Sequence, residues 1–212
     1  MLNLEVQNFV FTVENRTYLN SLFPHNSDQW SINTVPMNNV KRQIKEDLLS
    51  IQSGQCAYCI QDLDSRTRNE EDLQLDGDRE HIAAKTDYPQ FMFTEANLVL
   101  SCITCNRALK NDLDIVMSCS NNYEDCEFQI VHPYFDNFEE HIEFDEEFII
   151  CRGYITQKGL FTINTFDLIG PYLTKKRAEK VMLNIFLNNR TLSPEKRQLI
   201  EDGYRPTKGF FC

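Results

Sequence analysis

Cys56-Ala57-Tyr58-Cys59 and, further on, Asn97-Leu98-Val99-Leu100-Ser101-Cys102-Ile103-Thr104-Cys105-Asn106 are the stretches on which the fold turns. Two cysteines separated by two residues form a knuckle that presents two sulfurs to one ion, and two knuckles complete a closed tetrahedral zinc site. A closed site has no open position for water, so such a zinc is structural and its binding energy is folding energy. A redox-active pair is the alternative reading of one knuckle, and two matching pairs disfavour it. Between the knuckles lies Glu80-His81, and Asn106 follows the last cysteine directly.

Working outward, Val40, Ile44, Leu48 and Ile51 recur at helical spacing and predict a helix from about Met37 to Gln52, ended by Gly54. Residues 61–78 are polar, with Asp76-Gly77-Asp78 as a turn. Short strands are expected at Glu80 to Ala84 and Asn97 to Leu100, then a helix from Thr104 to about Met117. Residues 127–165 alternate apolar and polar and predict strands, as in His141 to Phe144 and Phe148 to Cys151. Helices are expected from Leu173 to Leu187 and again after Ser193-Pro194. The first 36 residues show no sustained period.

The chain has 212 residues with 42% hydrophobic content, enough for one sizeable core. No apolar run is long enough to span a bilayer, and Met1 to Glu5 lacks a basic segment leading into an apolar one. Eight cysteines without an export signal favour thiolates and a cytoplasmic setting. Cys119, Cys126, Cys151 and Cys212 are read as incidental, unpaired thiols. The net charge is −11, unusual for a binder of polyanions. Its distribution is uneven: residues 111–150 hold twelve Asp or Glu and no Lys or Arg, whereas residues 172–208 hold nine Lys or Arg and four Asp or Glu. The basic stretch from Lys175, Lys176 and Arg177 onward is a candidate nucleic-acid face. Alternatively, both segments are solvated surface.

The pattern CxxC, acidic residue plus His, NLxxxCxxCN and a following Lys resembles the HNH endonuclease family. Here it is carried by Cys56 to Cys59, Glu80-His81-Ile82, Asn97 to Asn106, and Lys110. A wider likeness runs from about Val40 to Arg177 and includes Leu48-Leu49, Gln52, His132-Pro133-Tyr134-Phe135-Asp136 and His141. It is similar to HNH subunits encoded beside an ABC-type ATPase in antiphage systems of the Septu and retron-associated kind.

The resemblance implies an α+β fold. A ββα-metal core at 55–118 follows a lead-in at 1–54 and precedes an accessory lobe at 119–212. It also implies metal-dependent phosphodiester hydrolysis, DNA more than RNA, with an ATPase partner. In that reading His81 is the general base, since an imidazole titrates near neutrality. Asn97 accepts from one of its ring nitrogens. Glu80 and Asn106 offer hard oxygens to a catalytic Mg2+ or Mn2+. Adjacent strand residues point to opposite faces, so Asp78 stays open as the acidic ligand in place of Glu80. Lys85 and Lys110 are candidate phosphate contacts, or ordinary solvated lysines. Ala84 stands where relatives often carry Pro, which leaves the loop after the strand open. RNA such as tRNA as substrate, or an inactive zinc-stapled interaction module, are the rival readings.

Overall fold

Thr12 opens the first helix, α1 (Val13–Ser21), by accepting a hydrogen bond from the Asn15 amide. Only Leu19 of this helix is buried, so it shows no apolar stripe and leaves no period in the sequence. The computed structural model describes residues 9–63, 77–145 and 149–188, with positions 193, 194 and 198. Helix α2 (Val35–Ile51) starts with Pro36 in its first turn and buries Met37, Val40, Ile44 and Leu48; of the expected stripe, Ile51 is only half-buried. Its end is stopped at Gly54, whose φ of +70° suits glycine.

Buried Gln52 then joins the helix end to the sheet. Its amide nitrogen donates to the Leu100 carbonyl at 2.8 Å, and its amide oxygen accepts from the Leu100 N–H at 2.7 Å. Strands β1 (Gly77–His81) and β2 (Leu98–Cys102) form an antiparallel pair with Gly77 opposite Cys102 and His81 opposite Leu98. Strand β1 therefore lies three residues earlier than expected, and the expected turn at Gly77-Asp78 is strand instead. The apolar β2 pairs as far as Cys102, which draws Gly77 and Asp78 into the ladder. Beyond Ile82, the Ala83 amide is taken by the Asn97 side chain, which ends the pairing.

The helix after β2 is a π-helix, Thr104–Lys110, and not the longer helix expected to Met117. It stops at Asn111, where φ is +42° and the amide bonds back to Asn106 at 2.7 Å. The chain then turns into β3 (Val116–Ser118), which pairs with β4 (Glu127–Phe128). Strand β5 (Ile142–Phe144) pairs with β6 (Cys151–Tyr154). Residues 157–165, expected as strand, form helix α3 (Gln157–Phe166). Thr156 caps it, and Gly159, Thr162, Ile163 and Phe166 bury one helical face, a period that a short alternating stretch imitates. Helix α4 (Pro171–Leu187) follows. The helix expected after Ser193-Pro194 lies almost wholly outside the described residues.

The fold is mixed α+β with small two-stranded antiparallel sheets. Buried residues from Phe9 to Leu173 form one apolar cluster. In it Tyr58, from the first knuckle, stacks on Phe166 of α3 with ring centroids 4.2 Å apart. Cys119 and Cys126, expected as free thiols, are joined by a disulfide that closes the loop ahead of β4, with their Cα atoms 4.2 Å apart. The loop brings the two together, which spacing alone did not reveal. Cys151 is a buried free thiol, and Cys212 lies outside the described residues.

Candidate functional site

The two knuckles are built by different elements and meet. Cys56 and Cys59 sit on the turn after α2, closed by Ile60 N–H to the Cys56 carbonyl at 3.0 Å and fixed to β2 by Ala57 N–H to the Leu100 carbonyl at 3.0 Å. Cys102 ends β2 and Cys105 lies in the π-helix. Their four sulfurs all lie within 4.8 Å of one another, and Cys59 Sγ is 3.8 Å from Cys102 Sγ. A tetrahedral ion with metal–sulfur bonds of about 2.3 Å needs sulfurs about 3.8 Å apart. The group could therefore hold a metal ion such as zinc. The four thiols act on one another: contacts with Cys105, Cys56 and Cys59 push the Cys102 thiol down, while the thiols of Cys59 and Cys105 are pushed up.

One face of β1 carries the acids. Asp78 receives both Nε and Nη2 of Arg107, at 2.7 and 2.9 Å, and the Asn106 amide nitrogen at 3.3 Å. Glu80, two residues on, is buried against Lys110, whose ammonium lies 2.6 Å from Oε1. The two form a buried ion pair. Burial raises the Glu80 carboxyl above its usual range, and Lys110 works against that rise. Asn106 thus meets Asp78, the open alternative, and makes no hydrogen bond to Glu80.

His81 contacts a different set of residues. Its Nε2 lies 3.1 Å from the Met92 carbonyl, which can only accept, so Nε2 carries the proton and Nδ1 keeps the lone pair. Trp30 meets the ring edge-to-face at 4.5 Å. The ring is only 5% exposed, and burial, with Lys85 and Lys110 adding to it, pushes its pKa down to about 3. The near-neutral titration expected of a free imidazole does not hold for this buried ring.

Three expectations need correction. Asn97 does not touch the His81 ring. Its oxygen accepts from Ala83 N–H at 2.7 Å, and its nitrogen donates to the carbonyls of Ala83 and Phe91. It fixes the loop whose next carbonyl, that of Met92, holds the ring. Lys110 is neither solvated nor free for phosphate: it is 3% exposed and donates to the His81 carbonyl at 3.1 Å. Arg177 is no surface cation either. It is buried, bonding the carbonyls of Ile149 and Leu168 at 2.7 and 2.8 Å. Lys85 is half-buried near His81, and Lys175 and Lys176 pair with Glu179 along α4.

Sequence reasoning missed Trp30, Arg107 and the Met92 carbonyl. Trp30 is the sole tryptophan of the chain, a signal that could have been used. Comparison of the chain with protein-family models and with curated proteins finds no match. Among the described residues no helix is long and apolar enough to cross a membrane.

Proposed function

We propose that this chain is an HNH-type endonuclease that hydrolyses phosphodiester bonds, DNA more than RNA. The observation that carries the reading is that the helix after β2 meets the acids of β1, Asn106 at Asp78 and Lys110 at Glu80, one residue before His81 and on a scaffold that brings four cysteines together. All the acidic-face donors are hard oxygens, which suits Mg2+ or Mn2+. Asn106 with Glu80 or Asp78 would hold the ion, which when bound neutralises charge on the scissile phosphate and leaving oxygen. The Asn106 amide, turned over, offers its oxygen where its nitrogen now meets Asp78.

His81 Nδ1 accepts the proton of the attacking water, and Nε2, held by Met92, keeps the ring from rotating. The ring is neutral near pH 7, and a phosphodiester anion beside it raises its basicity. Arg107, 67% exposed at its side chain, exchanges Asp78 for a phosphate oxygen. An ATPase partner in antiphage defence, acting in the cytoplasm, would gate access to a site that is closed in the free chain. The acidic net charge fits a subunit that binds nucleic acid poorly until a partner delivers it.

The test is cleavage of DNA and RNA by the purified chain, alone and with its ATPase, in Mg2+ or Mn2+. His81→Ala should keep the fold and lose about two orders of magnitude or more in rate. Asn106→Ala should lower the rate and weaken the dependence on added ion. Wild-type rates in both variants, or no hydrolysis by the wild-type complex, would refute the reading.

A further inference from the structure

The loop between α1 and α2 carries an aromatic run that ends on His81. Phe23 meets His25 at a centroid distance of 5.7 Å, His25 meets Phe93 at 5.1 Å, Phe93 meets Trp30 at 6.0 Å, and Trp30 meets His81 at 4.5 Å. Phe93 is the buried floor, His25 and Trp30 are half-exposed, and Phe23 is 73% exposed. A phenylalanine so open contributes little to a core. The loop is nonetheless braced. Gln29 donates to the Leu22 carbonyl at 2.7 Å and the Pro24 carbonyl at 3.3 Å, and its side-chain oxygen meets His25 Nδ1 at 3.3 Å.

Charge completes the surface. The Lys41 ammonium sits 5.8 Å from the centre of the Trp30 ring, and Arg79 bonds the Lys41 carbonyl at 3.3 Å. Among the described residues neither cation makes an ion pair; the Lys41 ammonium donates to the Ile32 carbonyl at 3.1 Å, Asp78 and Glu95 are engaged by Arg107 and Arg16, and Asp28 of the same loop is an exposed carboxylate. In a chain of net charge −11 this sets two cations, with Asp28 nearby, beside the exposed Phe23 and the half-buried rings of His25 and Trp30. Surfaces that hold unpaired nucleic acid combine these two features, stacking for the bases and cations for the phosphates.

We propose that Phe23, His25 and Trp30, flanked by Lys41 and Arg79, form a stacking platform for unpaired nucleotides that leads a single strand towards His81. It deepens the nuclease reading and rests on it for the role of His81. Paired bases in a duplex have no free face for Phe23 or Trp30, so the platform selects frayed, looped or single-stranded substrate. It takes either sugar, because every base has a π-face.

Trp30 reports on the site directly, being the only tryptophan. The full-length chain with its zinc, without Mg2+ or Mn2+, is titrated with an oligothymidylate of about 12 nucleotides, its oligouridylate counterpart, and the thymidylate annealed to its complement. Both single strands should quench the indole emission saturably, and the duplex should need at least about tenfold more nucleotide. Phe23→Ala, at an exposed position that leaves the circular dichroism unchanged, should weaken single-strand binding by about 5- to 150-fold. No quenching, equal quenching by duplex, or unchanged affinity in Phe23→Ala would overturn the platform. Cleavage without a Trp30 response would retire the platform and leave the nuclease reading. A Trp30 response in a protein that hydrolyses nothing would do the reverse.

Discussion

Replacing Lys110 by Met removes the counter-charge of a buried carboxylate while keeping the apolar stem. In the wild type the ammonium is 3% exposed, 2.6 Å from Glu80 Oε1 and 3.1 Å from the His81 carbonyl, and Glu80 is 6% exposed. Breaking a buried pair from one side strands a charge, at a cost of about 3–5 kcal/mol, against about 0–1 kcal/mol for an exposed pair. For a chain of this length each kcal/mol moves the midpoint by about 2–4 °C, so Lys110→Met should melt about 6–20 °C lower. The double variant Glu80→Gln, Lys110→Met should recover most of that loss, because the stranded charge is gone. Urea unfolding of the wild type, two single variants and the double variant, all zinc-loaded, gives the coupling energy. A loss under about 1 kcal/mol in Lys110→Met, or strict additivity in the double variant, would mean that water reaches the pair and that Lys110 is solvated after all.

Metal analysis should find about one zinc per chain, and Cys102→Ser should release it and unfold the hairpin region, since one of four ligands is lost. His132 is buried, and burial pushes its pKa down to about 3 from 6.5, with Asp136 opposing and Lys158 assisting. The unfolded chain takes up a proton that the fold refuses, so stability should fall as pH drops from about 6.5 towards 3, by about 1.4 kcal/mol per unit from this ring. Denaturant midpoints across that window check it, and His132→Gln should flatten the slope by that amount. Gly159→Ala would place a Cβ 1.9 Å from the His141 carbonyl oxygen, so α3 must shift off β5. The loss should be about 3 kcal/mol or more by thermal unfolding.

What could be read from the chain was local. Four cysteines at knuckle spacing need only a turn each, and they come together. The stripe of α2 needs only a period, and Val40, Ile44 and Leu48 of it are buried while Ile51 at its end is half-buried. What could not be read depends on groups far apart in sequence. Lys110 and Asn106 look like one exposed helix face until Glu80 and the His81 carbonyl, 29 residues away from Lys110, claim the ammonium. Asn97 looks like a partner for histidine because its amide fits one, but the same amide satisfies two backbone carbonyls and an N–H in a buried loop. Those backbone groups cost more to leave unpaired than a histidine tautomer costs to hold by other means. Arg177 reads as one of three adjacent cations. Only the folded chain shows that the Ile149 and Leu168 carbonyls draw it inward and leave Lys175 and Lys176 on the surface.

The alternation of a strand separates Glu80 from His81, and the structure keeps that separation. Asp78 and Glu80 meet the π-helix, while His81 meets Trp30 and Met92. A single phosphate reaches both faces of a ladder only where the ladder ends, and His81 opposite Leu98 is the last pair of β1 with β2. On the nuclease reading, the scissile group therefore sits at that end of the hairpin, with the acids behind it and the imidazole ahead. Asn97 then matters through position alone: by taking the Ala83 amide it stops the ladder at this point. Asn97→Asp keeps the acceptor for Ala83 but loses the donor to the Phe91 and Ala83 carbonyls. It should cost about 1–3 kcal/mol of stability. It should also lower the cleavage rate without changing the dependence on added Mg2+, because no metal ligand is moved. A changed metal dependence with an unchanged rate at saturating ion would place Asn97 with the ion and not with the base.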